Sequence, residues 1–79
     1  MYHVYILKNL DDRYYVGYTS KDPQLRCYEH NTSKSRWTRY KGPWTLVHSE
    51  DFLTKDEAFK RERQIKSYKG GEAFKRLIH

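Results

Sequence analysis

The chain has one cysteine, Cys27, among 79 residues, which excludes an intramolecular disulfide framework and any multi-cysteine zinc site. It has no apolar run near the roughly 18–20 residues of a membrane span. No signal-peptide apolar region follows Met1, so a cytoplasmic, reducing compartment is the expectation. It is also too short for two independent cores, so one domain spanning 1–79 is expected. What the chain does have is aromatic residues, 16% of the total, including eight tyrosines and two tryptophans. Disordered chains are poor in such residues, and these can fill a small core.

Acidic residues are scarce relative to basic ones, ten against sixteen, leaving a formal charge of +6. The excess is uneven. Residues 1–20 balance, residues 21–42 carry net +4, residues 43–54 net −2 and residues 55–79 net +4. Two basic segments that meet in a fold make a phosphate-attracting surface. A merely solvated surface is the other reading of the same charges.

Tyr2–Leu7 is β-branched and aromatic with apolar residues on both alternating faces, as in an inner strand covered on each side. A turn cluster, residues 9–12, separates it from a second strand over residues 14–18, so a hairpin is the simplest topology. Asp22-Pro23 opens a helix to about residue 30 or 31. Residues 32–43 are a basic loop, Trp44–His48 forms a third strand with an extension to Phe52 left open, and Thr54-x-x-Glu57 caps a second helix to about Lys66. After Gly70-Gly71, residues 72–78 form a short last helix. The order is β-β-α-β-α-α, an α+β domain with a three-stranded antiparallel sheet flanked by helices.

Four features depart from simple packing patterns. On the second helix Ala58, Phe59 and Ile65 define the inward stripe, and Glu62 falls in its middle. A carboxylate there needs a partner: Lys66 one turn on, or a hard cation such as Mg²⁺. Arg26 and His30 are i,i+4 neighbours, either a plain helix edge or a phosphate-binding fork beside a proton-shuttling imidazole. Tyr5 and Tyr15 lie on adjacent strands and would share a face in the right register. Gly17 weakens a strand interior, which usually marks a bulge or a close approach to the backbone.

Taken in order, these segments resemble the GIY-YIG nuclease superfamily, most closely its small stand-alone bacterial members. The match runs through H-V-Y-I-L at 3–7, Y-V-G-Y-T-S at 15–20, R-C-Y-E-H-N at 26–31, K-G-P-W-T-L-V at 41–47 and the helix at 54–66. The resemblance implies a one-metal phosphodiester-cleaving site on the sheet. In that site Tyr5, Tyr15, Arg26 and His30 are catalytic, Gly17 admits a close backbone approach, and Glu62 holds one Mg²⁺ or Mn²⁺ ion. His3 stands where the family's first motif has glycine. The segment between Gly17 and Arg26 is one residue longer than in small members, which bears on where Arg26 lands. DNA is the implied partner, with RNA and a protein partner left open, and no membrane. Contacts to nucleic acid are expected from Lys34, Arg36, Trp37, Arg39, Tyr40, Lys41 and Lys66. The alternative is a nucleic-acid-binding module, or a nuclease subunit needing a partner for specificity.

Overall fold

The computed structural model describes residues 1–32 and 43–78. Strand β1 (Tyr2–Lys8) lies between β2 (Tyr14–Thr19) and β3 (Thr45–Phe52), antiparallel to both. Helix α1 (Pro23–Asn31) precedes β3, and α2 (Lys55–Ser67) and α3 (Glu72–Ile78) follow it. The element order and the α+β class are those read from the sequence. The third strand starts one residue later than the sequence suggests, and it extends to Phe52.

The apolar run of β1 explains its central place. Val4, Tyr5, Ile6 and Leu7 are all at most 1% exposed, and alternation sends them to opposite faces of the sheet. Val4 and Ile6 pack with Ala58, Ile65 and Phe74, so α2 and α3 cover one face. Tyr5 and Leu7 pack with Cys27 and Trp44, so α1 and the residue leading into β3 cover the other. Each fully buried aliphatic side chain contributes roughly 1.5–3 kcal/mol, so this one strand anchors both halves of a small core.

Local chemistry sets the element ends. The β1–β2 turn is held by buried Asn9, whose Oδ1 accepts from the Asp11 and Arg13 amides at 3.0 and 2.9 Å. Asp12 takes the left-handed conformation, φ 59°. The Asp22 side chain accepts from the Gln24 amide at 2.8 Å ahead of Pro23. Thr54 Oγ1 accepts from the Glu57 amide at 3.2 Å and its hydroxyl donates to the Glu57 carboxylate at 3.0 Å. Arg61 donates to both Glu50 oxygens, at 2.7 and 2.9 Å, pinning α2 to β3.

One assignment on α2 is corrected. Its buried residues are Ala58, Glu62 and Ile65, whereas Phe59 is 39% exposed. Glu62 keeps its expected place within the stripe, while Phe59 falls outside it, because Ala58 and Ile65 are the α2 residues that join Val4 and Ile6 in one core cluster.

Candidate active site

Tyr5 and Gly17 are directly opposed in the β1–β2 ladder, and Leu7 opposes Tyr15, so both tyrosines rise from the same sheet face. Their ring centroids are 6.2 Å apart. A side chain at Gly17 would collide with Tyr5: an added Cβ would sit 2.7 Å from the Tyr5 hydroxyl and 2.9 Å from Cζ. Gly17 is therefore the trough in which the Tyr5 ring lies. The close approach that a strand glycine announces is first that of Tyr5 itself.

His30 comes from the last turn of α1 and is completely buried. Its Nε2 lies 3.1 Å from the Tyr5 hydroxyl, and its ring is 4.7 Å from that of Tyr15. Burial pushes the imidazole pKa down, the Arg26 charge adds to this and Glu29 opposes it, so the ring is neutral near pH 7. Burial and then Tyr15 push the Tyr5 phenol up to about 12, against the pull of Arg26. At neutral pH the pair is thus a protonated phenol against a neutral imidazole. In one tautomer Nε2 accepts the phenolic proton, and in the other it donates to the phenolic oxygen.

A cavity of about 520 Å³ opens beside this pair, with Tyr5, Tyr15, Gly17, Tyr18, Arg26, Lys55 and Glu62 among its walls. Helices α1 and α2 cover opposite faces of the sheet, yet Arg26 of α1 and Glu62 of α2 both reach this space. The cavity wraps the edge strand β2, drawing Tyr15 and Gly17 from one face and Tyr18 from the other. The longer segment before α1 leaves Arg26 on the cavity wall. His30 lies behind Tyr5 and Tyr15 and is not among the wall residues.

Arg26 Nη1 donates to Glu29 Oε1 at 2.8 Å, and Lys21 donates to the other Glu29 oxygen at 3.0 Å. Glu29 orients the guanidinium without joining the cavity wall. Glu62 is 8% exposed and pairs with Lys66 at 3.2 Å. Both sequence readings of Glu62 therefore have a geometric counterpart: it contacts Lys66 and it faces the cavity. Lys66 is the only residue of the expected nucleic-acid-binding set that the structure describes. Lys34, Arg36, Trp37, Arg39, Tyr40 and Lys41 lie outside the described residues.

Two residues received no role from the sequence. Lys55 lines the cavity, and the signal for it was spacing, since it lies seven residues before Glu62 on one helical stripe. Asn31 ends α1 and grips Trp44, its Nδ2 donating to the Trp44 carbonyl at 2.9 Å and its Oδ1 accepting from the Trp44 amide at 2.6 Å. This clamp holds the end of the helix carrying Arg26 and His30 against the start of β3. His3, at the position of the family glycine, pairs across the sheet with Asp51 at 2.7 Å.

The GIY-YIG catalytic domain model matches residues 1–74, nearly the whole chain. The chain belongs to the GIY-YIG family. Relatives include a UPF0213 protein of Halobacterium salinarum, 46% identical over 84% of this chain and 86% of that one. A UPF0213 protein of Staphylococcus epidermidis is 44% identical over 82% of this chain and 79% of its own. The solution NMR structure of a UPF0213 protein from Bacillus halodurans aligns over 92% of this chain and 90% of its own, at 35% identity and a TM-score of 0.50. As a GIY-YIG domain, the chain carries its tyrosines, arginine and glutamate around one cavity, with the histidine directly behind.

Proposed function

We propose that this chain is a metal-dependent endonuclease domain hydrolysing phosphodiester bonds in DNA. The observation that carries the reading is the buried Tyr5–His30 hydrogen bond at 3.1 Å, beside a cavity that also holds Arg26 and Glu62. The hydrogen bond satisfies two buried polar groups, and beside a cavity that also holds a cation and a carboxylate the same pair can pass a proton to or from a reacting oxygen.

Glu62 is the sole carboxylate on the cavity wall, and no cluster of three acidic, histidine or cysteine ligands exists among the described residues. Such a donor set fits Mg²⁺ or Mn²⁺ held jointly by one carboxylate and a substrate phosphate, rather than by a closed protein cage. When bound, the ion supplies charge neutralisation at the phosphate and leaving oxygen. Arg26 binds a non-bridging oxygen and takes up the charge that grows there. Water attacks phosphorus as the bond to the leaving oxygen breaks. The water proton passes to the Tyr5 oxygen while the Tyr5 proton moves to His30 Nε2, and the leaving oxygen takes a proton from solvent. With its pKa near 12, Tyr5 acts as a conduit rather than as a standing phenolate, and the neutral imidazole is the ultimate acceptor. Tyr15, its ring tilted against both, packs beside the pair.

The Lys66–Glu62 contact favours a second reading, a module that binds nucleic acid without cutting it. Glu62→Gln separates the two, because glutamine keeps the volume but not the charge that holds a hard cation. Plasmid, single-stranded and branched DNA are incubated with wild type and variant in Mg²⁺ or Mn²⁺, then in EDTA. The endonuclease reading expects nicking by wild type alone, stopped by EDTA. Equal nicking by both proteins rejects Glu62 as the metal ligand, and nicking by neither favours the binding module.

A further inference from the structure

The exposed face of α2 carries an aromatic residue that neither the core nor the reaction uses. Phe59 is 39% exposed on a helix otherwise coated with charge. Its ring is nevertheless held on two sides. Tyr18 meets it edge-on, with centroids 5.8 Å apart and planes at 71°. The Arg63 guanidinium sits 5.6 Å from the ring centre. A second cavity of about 450 Å³ lies against this pair, bounded by Tyr18, Phe59, Lys55 and Asp56. Two of those walls, Tyr18 and Lys55, also border the cavity that holds Tyr5, Arg26 and Glu62. The two spaces are neighbours along the strand edge.

We propose that a ledge formed by the Phe59 ring face opposite Arg63, with Tyr18 set nearly perpendicular beside it, stacks one unpaired nucleobase of the strand whose phosphate occupies the adjacent cavity. The proposal rests on the nuclease reading for the identity of that neighbour, and it selects unpaired over fully paired substrates at this position. The chemistry of the walls separates base from phosphate. Aromatic rings suit the flat face of a base, and stacking tolerates any base because every base has a π-face. The Asp56 carboxylate repels a phosphate but accepts from base amino groups, and Lys60 pairs with it at 3.0 Å. Lys55, on the boundary between the two cavities, is placed for the linking phosphate. Arg63 over the Phe59 ring holds the platform rigid, which lowers the ordering cost of stacking. In a continuous duplex the base faces are already stacked on their neighbours, so the ledge gains nothing from fully paired DNA.

The test uses binding in EDTA, where no cleavage occurs, so its outcome is independent of the nuclease reading. A single-stranded oligonucleotide carrying the fluorescent base 2-aminopurine and a duplex of the same sequence are titrated into wild type, Phe59→Ala and Phe59→Tyr. Because Phe59 is partly exposed, circular dichroism melts are expected to show the variants folded. Stacking predicts quenching of 2-aminopurine by wild type and a roughly 5- to 150-fold loss of single-strand affinity in Phe59→Ala. It also predicts recovery in Phe59→Tyr and duplex affinity within about twofold throughout. Equal losses on both substrates, no loss on either, or no single-strand binding by wild type would each overturn it.

Discussion

Replacing Gly17 with alanine tests how the candidate site is built, because one methyl group would fall on its central side chain. Gly17 does not adopt a left-handed conformation, so backbone strain is not at issue. The cost is steric. The added carbon would lie 2.7 Å from the Tyr5 hydroxyl, 2.9 Å from its Cζ and 3.1 Å from a Tyr15 ring carbon. Tyr5 is 1% exposed and its hydroxyl is tied to His30, so the ring cannot swing aside into solvent. Overpacking of this kind costs roughly 1–3 kcal/mol, while alanine recovers about 0.5–1 kcal/mol of glycine's entropic penalty in a strand. The net loss is about 0–2.5 kcal/mol with a centre of about 1.3, which at the centre is a fall in Tm of about 5–10 °C for a domain of this size. Thermal melts give the first readout and DNA nicking the second, since a displaced hydroxyl breaks the proton path. Gly17→Ala combined with Tyr5→Phe removes the closest clash and regains part of the stability with no regain of activity. A Gly17→Ala protein with wild-type Tm and activity would refute the placement of Tyr5 across Gly17.

Tyr5→Phe gives a pH signature. The folded phenol pKa, about 12, is above its ordinary value of 10.0, so the stability it confers is complete below pH 10 and is lost as pH rises toward 12. Relative to Tyr5→Phe, wild type should lose about 1.4 kcal/mol by pH 11 in urea melts, and a constant difference from pH 8 to 11 would contradict this. Asn31→Ala removes both hydrogen bonds to the Trp44 backbone and should cost roughly 1–3 kcal/mol. An unchanged urea midpoint would show that this clamp does not hold α1. Binding to random duplex DNA should weaken steeply with salt, log K against log salt falling by roughly 0.9 per phosphate contacted. Salt-insensitive binding would remove the electrostatic reading of the +6 charge.

Much of the fold is local chemistry and was legible in the chain. The Asp22-Pro23 start, the Thr54/Glu57 capping box, the turn residues after β1 and the two-sided apolar run of Val4–Leu7 each depend on neighbours in sequence. The motif order then pointed to Tyr5, Tyr15, Arg26, His30 and Glu62 as a set. Decisions that depend on what a distant element presents were not legible. Helical periodicity placed Glu62 inward correctly but put Phe59 inward as well, because the width and edge of the apolar stripe on a helix as polar as α2 are set by its bed. Val4 and Ile6 draw in Ala58 and Ile65, which leaves Phe59 partly exposed and brings Glu62 to the cavity. His30 had an i,i+4 partner in the sequence, but its burial and its bond to Tyr5 arise only because α1 lies across the Tyr5 face of the sheet. Gly17 announced a close approach, and tertiary packing decided that the approaching group is the Tyr5 ring. Composition and capping determine which elements form, whereas the meeting of Arg26 and Glu62 around the β2 edge depends on how two helices dock on opposite faces of one sheet.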